Sequence, residues 1–125
     1  MNAAPLRCLI VDDSADFRAS ARDMLEAGGI SVIATASTLD DAVRETRSTR
    51  PDLALVDIDL GGESGFDVVE ALHELDADPT PAIVLVSTHD EDEFADMIDA
   101  SPAVGFLPKF ALSADRIRQL LAGRR

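Results

Sequence analysis

The chain has 125 residues, 46% of them hydrophobic, and a net charge of −13. That length fits one domain with a single core, since typical domains hold ~100–150 residues. The acidic excess speaks against nucleic-acid binding, which needs clustered Lys and Arg, and Arg124 and Arg125 at the tail are too few to change this. No apolar stretch approaches the ~20 residues of a membrane-spanning helix. Met1-Asn2-Ala3-Ala4-Pro5 has no basic region leading into a long apolar run, so no secretory signal is visible. The single cysteine, Cys8, cannot form an internal disulfide and sits in an apolar run as a small hydrophobe. A cytoplasmic protein is expected.

Strand-like and helix-like patterns alternate five times. The first strand, about Leu6–Val11, leads to a helix from about Ala15 that Ser14 can cap. Phe17, Ala21, Met24 and Leu25 make its apolar face, and Gly28-Gly29 ends it. Ile30–Ala36 is the second strand. Thr38 then opens a short helix with Leu39, Ala42 and Val43 inward, and Pro51 marks the next boundary. Leu53–Val56 is the third strand, Gly61-Gly62-Glu63-Ser64-Gly65 a loop, and the following helix carries Val68, Leu72 and Leu75. Asp78-Pro79-Thr80-Pro81 is a turn before a fourth, purely apolar strand, Ala82–Val86. The run Asp90-Glu91-Asp92-Glu93 reads as a solvated helix start favoured by the helix dipole, or as a surface facing a partner. The fourth helix carries Phe94, Met97 and Ile98 and stops at Ser101-Pro102; Val104–Leu107 is the fifth strand; Ser113 caps a last helix with Ile117, Leu120 and Leu121 inward. His73 reads as a surface residue. Five such units with short connections imply an α/β fold: a flavodoxin-like doubly wound (βα)5 sandwich with a parallel sheet in the order 2-1-3-4-5. Residues 1–125 are read as one domain, without repeats or linkers.

Three of the apolar runs deliver acid or base to their C-terminal ends. The first runs into Asp12-Asp13, the third into Asp57 and the fifth into Lys109, while the fourth ends in Ser87-Thr88. In a parallel sheet those ends form one edge, where ligands bind. Asp12-Asp13-Ser14 alone would be a turn and cap, Ser87 a strand-end residue and Lys109 a loop lysine; their coincidence on one edge points to a site. The set fits Mg²⁺, which takes hard oxygen ligands and keeps several waters. Asp13 and Asp57 supply carboxylates, and Asp12 holds a metal-bound water. Asp57 is then a nucleophile towards phosphorus, Lys109 a point charge for it and the phosphoryl group, and Ser87 a hydrogen-bond donor to a phosphoryl oxygen.

From about Leu6 to Leu121 these motifs resemble the receiver domain of bacterial two-component response regulators, the CheY-like family. The resemblance is carried by Asp12-Asp13, Asp57, Gly65 eight residues on, Ser87, and Gly105-Phe106-Leu107-Pro108-Lys109. It implies that Asp57 is the phosphoacceptor, charged by a sensor histidine kinase or phosphotransfer protein. It implies that Asp12, Asp13 and Asp57, with the backbone carbonyl of Asp59, arrange Mg²⁺ and its waters. Lys109 would contact the phosphoryl group, Ser87 would move towards it, and Phe106 would swing inward, unless it is an ordinary core aromatic. The altered surface of the fourth helix, fifth strand and fifth helix would then bind a downstream effector or form a phosphorylation-dependent homodimer. Asp59 and His89 fall where family side chains tune phosphate lifetime, although His89 also reads as a plain loop histidine.

Three departures from the family pattern bear on this site. Phe110 follows Lys109 where the family has a proline joined by a cis bond, which for a non-proline costs ~2.5–4 kcal/mol; the loop geometry and Lys109's reach are left open. Gly61 stands where many relatives have proline, so a more mobile loop is expected. Thr88 replaces a small residue and could narrow access. Competing readings are a docking-only receiver and a haloacid dehalogenase-type phosphatase, whose hydrophobic-Asp-x-Asp motif Val56-Asp57-Ile58-Asp59 resembles. A nucleotide-binding domain is disfavoured because no glycine-rich phosphate loop follows the first strand. The chain is expected to be either a stand-alone regulator or part of a longer protein.

Overall fold

The computed structural model describes residues 5–75 and 80–123. Five strands, β1 (Arg7–Val11), β2 (Ser31–Ala36), β3 (Leu53–Asp57), β4 (Ala82–Ser87) and β5 (Gly105–Pro108), alternate with five helices. These are α1 (Ala15–Ala27), α2 (Leu39–Thr49), α3 (Gly65–Glu74), α4 (Ala95–Ala100) and α5 (Ala114–Ala122). All strand pairs are parallel, in the order β2-β1-β3-β4-β5. This is the flavodoxin-like α/β sandwich that the alternating pattern implies.

Successive strand residues point to opposite faces, and the two faces build two cores. Leu9, Val11, Ala54, Val56, Ile83 and Leu85 pack with Ala42, Val68, Leu72 and Ile98 from α2, α3 and α4. Cys8, Ile10, Leu53, Leu55, Val84 and Val86 pack with Leu25, Ala114 and Ile117 from α1 and α5. Cover on both faces is why β3 and β4 are buried along their whole lengths. Burial pushes the Cys8 thiol up to about 12, so it stays protonated and unreactive in the core. Ile117 is fully buried, which makes it a core residue.

The helix starts are closed as the sequence suggests. Ser14, Thr38 and Ser113 accept hydrogen bonds from the backbone N–H groups of Phe17, Asp41 and Arg116. The region after β4 differs from expectation. Glu91–Phe94 form a 3-10 turn, and α4 proper is only six residues, Ala95–Ala100. No side chain caps either start, and the adjacent acids repel one another, so the acidic run does not extend the α-helix. Ile98 is buried and Phe94 half-buried, but Met97 is 51% exposed. In the turn expected at Asp78–Pro81, Asp78 and Pro79 lie outside the described residues, as do Met1–Ala4, Arg124 and Arg125. Among the described residues no helix is long and apolar enough to cross a membrane.

Gly65 sets where α3 begins relative to the sheet. Its N–H donates to the Ile58 carbonyl at 2.7 Å. A Cβ there would lie 2.1 Å from the Asp57 carbonyl oxygen and 2.7 Å from Ile58 Cα. Both obstacles are backbone, so they cannot rotate away. Gly65→Ala is expected to lower stability by ~1–3 kcal/mol, read as a fall in the urea midpoint; an unchanged midpoint would show that α3 can move off the strand freely.

Candidate functional site

β1 and β3 are neighbours in register, with Val11 opposite Val56. The next residues, Asp12 and Asp57, therefore emerge side by side at the C-terminal edge. Both are buried, while Asp13 is exposed. Carboxylate oxygens of Asp12, Asp13 and Asp57 lie within 4.8 Å of one another. Ser87, opposite Pro108 in the β4–β5 pairing, closes the next strand along. Lys109 follows at once and reaches back across that edge. Its Nζ lies 2.7 Å from Asp12 Oδ2 and 3.0 Å from Asp57 Oδ2, and 4.2 Å from the centre of the Phe17 ring.

Backbone donors hold the other carboxylate oxygens. The Ser14 N–H donates to Asp12 Oδ1 at 2.8 Å, and the Asp59 N–H to Asp57 Oδ1 at 3.1 Å. The Arg18 guanidinium donates to the Asp12 carbonyl at 2.6 Å, pinning the start of the acidic loop to α1. Burial raises the Asp57 carboxyl to about 6; the Lys109 contact and the Asp59 N–H hold it down from going further, while the Asp12 charge pushes it up. Burial works against the Lys109 ammonium, but its contacts with Asp12 and Asp57 outweigh that and raise its pKa.

The donor set fits a divalent cation. Three carboxylates face one ammonium, leaving negative charge uncompensated. Asp12 Oδ2 is buried, and the Lys109 ammonium that it meets at 2.7 Å is shared with Asp57. Hard oxygen ligands of this kind suit Mg²⁺.

Asp12, Asp13, Asp57 and Lys109 thus converge as the strand ends suggest. Ser87 is buried, and its Oγ accepts from the His89 N–H at 3.0 Å. Phe106 is buried in the core with Leu85 and Ile98, so its ring already lies inward. The Asp59 carboxylate accepts from the Gly61 N–H at 3.1 Å. The His89 ring sits 3.6 Å from Glu93 Oε2 and edge-on to Phe94, facing the turn before α4. Asp59 and His89 line one groove beside the site. Thr88 is exposed. Phe110 is 84% exposed in a 3-10 turn, Lys109–Ala111, and Lys109 reaches both carboxylates without the proline.

Phe17 and Arg18 are contributors that the sequence patterns did not single out. Phe17 reads as a core-face residue, and no sequence pattern marks Arg18. The available signal was an arginine one helical turn beyond Ser14, the residue after the acidic pair.

Gly61 takes a left-handed conformation. Its φ is +76°, which proline cannot adopt, and a Cβ there would lie 3.3 Å from Asp13 Oδ2. The loop carries hydrogen bonds on either side of Gly61. The Leu60 N–H donates to the Glu63 carbonyl, and Glu63 Oε1 accepts from the Leu39 N–H.

A five-stranded parallel α/β fold with an acidic trio and a lysine at its C-terminal edge defines a class of protein that several comparisons make specific. The family model of the response regulator receiver domain matches residues 8–122, and the chain belongs to that family. It is 36% identical over 87 residues to a protein-glutamate methylesterase/protein-glutamine glutaminase of Natronomonas pharaonis, covering 70% of this chain and 24% of that protein. It is 29% identical to the response regulator GacA of Pseudomonas aeruginosa, covering 96% of this chain and 57% of that protein. Among solved structures, the signal receiver domain of the putative response regulator NarL from Mycobacterium tuberculosis aligns with a TM-score of 0.85 at 25% identity, covering 98% of this chain and all of that one. The chain spans between a quarter and just over half of these two curated relatives. Receiver domains act in two-component phosphorelays and typically bind Mg²⁺ at an acidic pocket such as the one formed by Asp12, Asp13 and Asp57.

Two outcomes follow from this geometry. Gly61→Pro, although it restores the residue common in relatives, is expected to destabilise the protein by more than ~1 kcal/mol in thermal melts; a neutral or raised Tm would contradict the loop's left-handed conformation. In metal-free protein, carbon-detected NMR should find Asp57 titrating at about 6, and higher in Lys109→Met. The sign is that of a raised carboxyl: its contribution to stability is full below the ordinary value of 3.8 and is lost as pH rises through about 6. A midpoint near 3.8 would mean that Asp57 is solvated.

Proposed function

We propose that Asp57 accepts a phosphoryl group from a sensor histidine kinase or a phosphotransfer protein in the cytoplasm. A carboxylate oxygen of Asp57 bonds to phosphorus as the phosphorus–nitrogen bond of a phosphohistidine breaks. The electron pair leaves with the imidazole, which takes up a proton, and an acyl phosphate remains. Hydrolysis reverses the gain: water attacks phosphorus, the Asp57 carboxylate departs, and inorganic phosphate is released. The observation that carries this reading is Lys109 held 2.7 and 3.0 Å from two buried carboxylates, with Asp13 beside them.

Asp12, Asp13, Asp57 and the backbone carbonyl of Asp59 would hold Mg²⁺, which supplies charge neutralisation for the incoming phosphoryl oxygens. Lys109 pairs with a phosphoryl oxygen as a point charge. Ser87 gives its hydroxyl hydrogen to another, and Phe106 packs behind it. These contacts bias the surface of α4, β5 and α5 towards a downstream effector protein or domain, or towards a homodimer formed on phosphorylation. Asp59 and His89 flank the approach of the hydrolytic water and set the lifetime of the phosphate. The chain's catalysis is confined to its own phosphorylation and dephosphorylation.

Intact-mass spectrometry after incubation with acetyl phosphate should give a phosphate-sized increase that needs Mg²⁺ and is absent in Asp57→Asn. No increase, either with acetyl phosphate or with a phosphorylated phosphotransfer protein, would leave a docking-only receiver. The phosphate should decay at a different rate in Asp59→Asn or His89→Ala than in the parent; equal rates in both variants would remove those residues from lifetime control.

A further inference from the structure

The sequence divides its charge unevenly. None of the 11 Lys and Arg lies between Arg50 and Lys109, whereas most of the 24 Asp and Glu do. That stretch contains β3, α3, β4, α4 and β5. The surface carried by α3, α4 and their loops is therefore acidic without a compensating cation among the described residues. The rest of the chain holds every arginine.

An apolar groove of about 370 Å³ opens in that surface, between the β3–α3 loop and the start of α4. Phe66 and Phe94 form its floor, with ring centres 6.2 Å apart, and Met97 stands exposed at its mouth. Acids stand on both sides: Asp59 and Glu63 line it on the loop side, and across from them Glu93 lies 3.6 Å from the lining His89 ring, all three exposed. Glu63 and Glu93 each have a neighbour within the chain, the Leu39 N–H and the His89 ring. Neither neighbour is a fixed positive charge.

We propose that this groove docks a segment of a partner protein in which an apolar side chain is flanked by Lys or Arg. The apolar group enters between Phe94, Phe66 and Met97, and the cations meet Asp59, Glu63 and Glu93. Charge complementarity selects this occupant. Nucleic acid and anionic lipid are repelled by the same rim, and the groove face of a second copy is equally acidic. Single exposed ion pairs contribute ~0–1 kcal/mol each, so burial in the groove supplies affinity while the rim supplies orientation and encounter rate. Its lining comes from the β3–α3 loop, the start of α3, His89, Phe94 and Met97, and includes no described residue of β5 or α5. The proposal does not depend on phosphorylation of Asp57.

The test uses the unphosphorylated full chain, labelled with ¹⁵N, and two acetylated peptide amides, Lys-Phe-Lys-Leu-Lys and its acidic twin Glu-Phe-Glu-Leu-Glu. The basic peptide should shift amides of Gly61–Phe66 and His89–Met97 and bind at least about tenfold more tightly than the acidic one. Its affinity should fall several-fold between about 0.05 and 0.5 M salt. Met97→Ser and Glu93→Lys, both at exposed positions, should each weaken it at least about threefold while leaving the remaining amide spectrum intact. Equal binding of the two peptides, shifts centred elsewhere, or no shifts would overturn the proposal. Concentration-dependent shifts of the same amides without peptide would overturn it too, by showing a second copy in the groove.

Discussion

Asp12 and Asp57 lie buried at the ends of adjacent strands, and the Lys109 ammonium stands 2.7 and 3.0 Å from them. Two carboxylates in that position would repel each other and lose their hydration. Truncating one partner of such a buried charge set typically costs ~3–5 kcal/mol, because the remaining charge is left uncompensated. The lysine relieves part of that strain, but burial outweighs the relief and pushes the Asp57 carboxyl up to about 6. One ammonium against three carboxylates leaves room for a dication. The site is thus built short of positive charge, and this shortage orders what the rest of the fold does.

Parallel topology makes the arrangement possible. Every strand runs the same way, so the residues that close β3 and β4, and those that follow β1 and β5, share an edge. Gly65 lets α3 turn away directly beneath Asp57, close enough that a methyl group would strike the strand. Gly61 takes a left-handed turn against Asp13. Arg18 holds the Asp12 carbonyl from α1. Each of these contacts sets a carboxylate's position rather than its chemistry.

Much of this was legible in the sequence because strands buried on both faces read as unbroken apolar runs. The charge that ends each run then stands out: Val11 before Asp12, Val56 before Asp57, Pro108 before Lys109. The family motifs added roles for Ser87, Phe106 and Asp59. Other features depend on backbone angles or on contacts far apart in sequence, and patterns of residue type do not encode them. The left-handed φ of Gly61 is one such feature, since the residue type alone does not fix it. The acidic run after β4 satisfies the rule for helix starts, yet no side chain caps it and it forms a 3-10 turn. Phe17 beneath Lys109 serves both the core and the site, and its helical spacing reports only the core. The lack of any Lys or Arg from Pro51 to Pro108 is visible in the sequence, but its meaning comes from the fold, which gathers that stretch on one side beside an apolar groove.

The most direct test of the central claim is a crystal structure of the protein with Mg²⁺ and beryllofluoride, a stand-in for the phosphoryl group. The account predicts beryllium bonded to an Asp57 oxygen, Lys109 Nζ within hydrogen-bond distance of a fluoride, and the cation bound among Asp13, Asp57 and the Asp59 carbonyl. Beryllofluoride on another residue, or Lys109 turned into solvent with Asp12 and Asp57 unpaired, would contradict it.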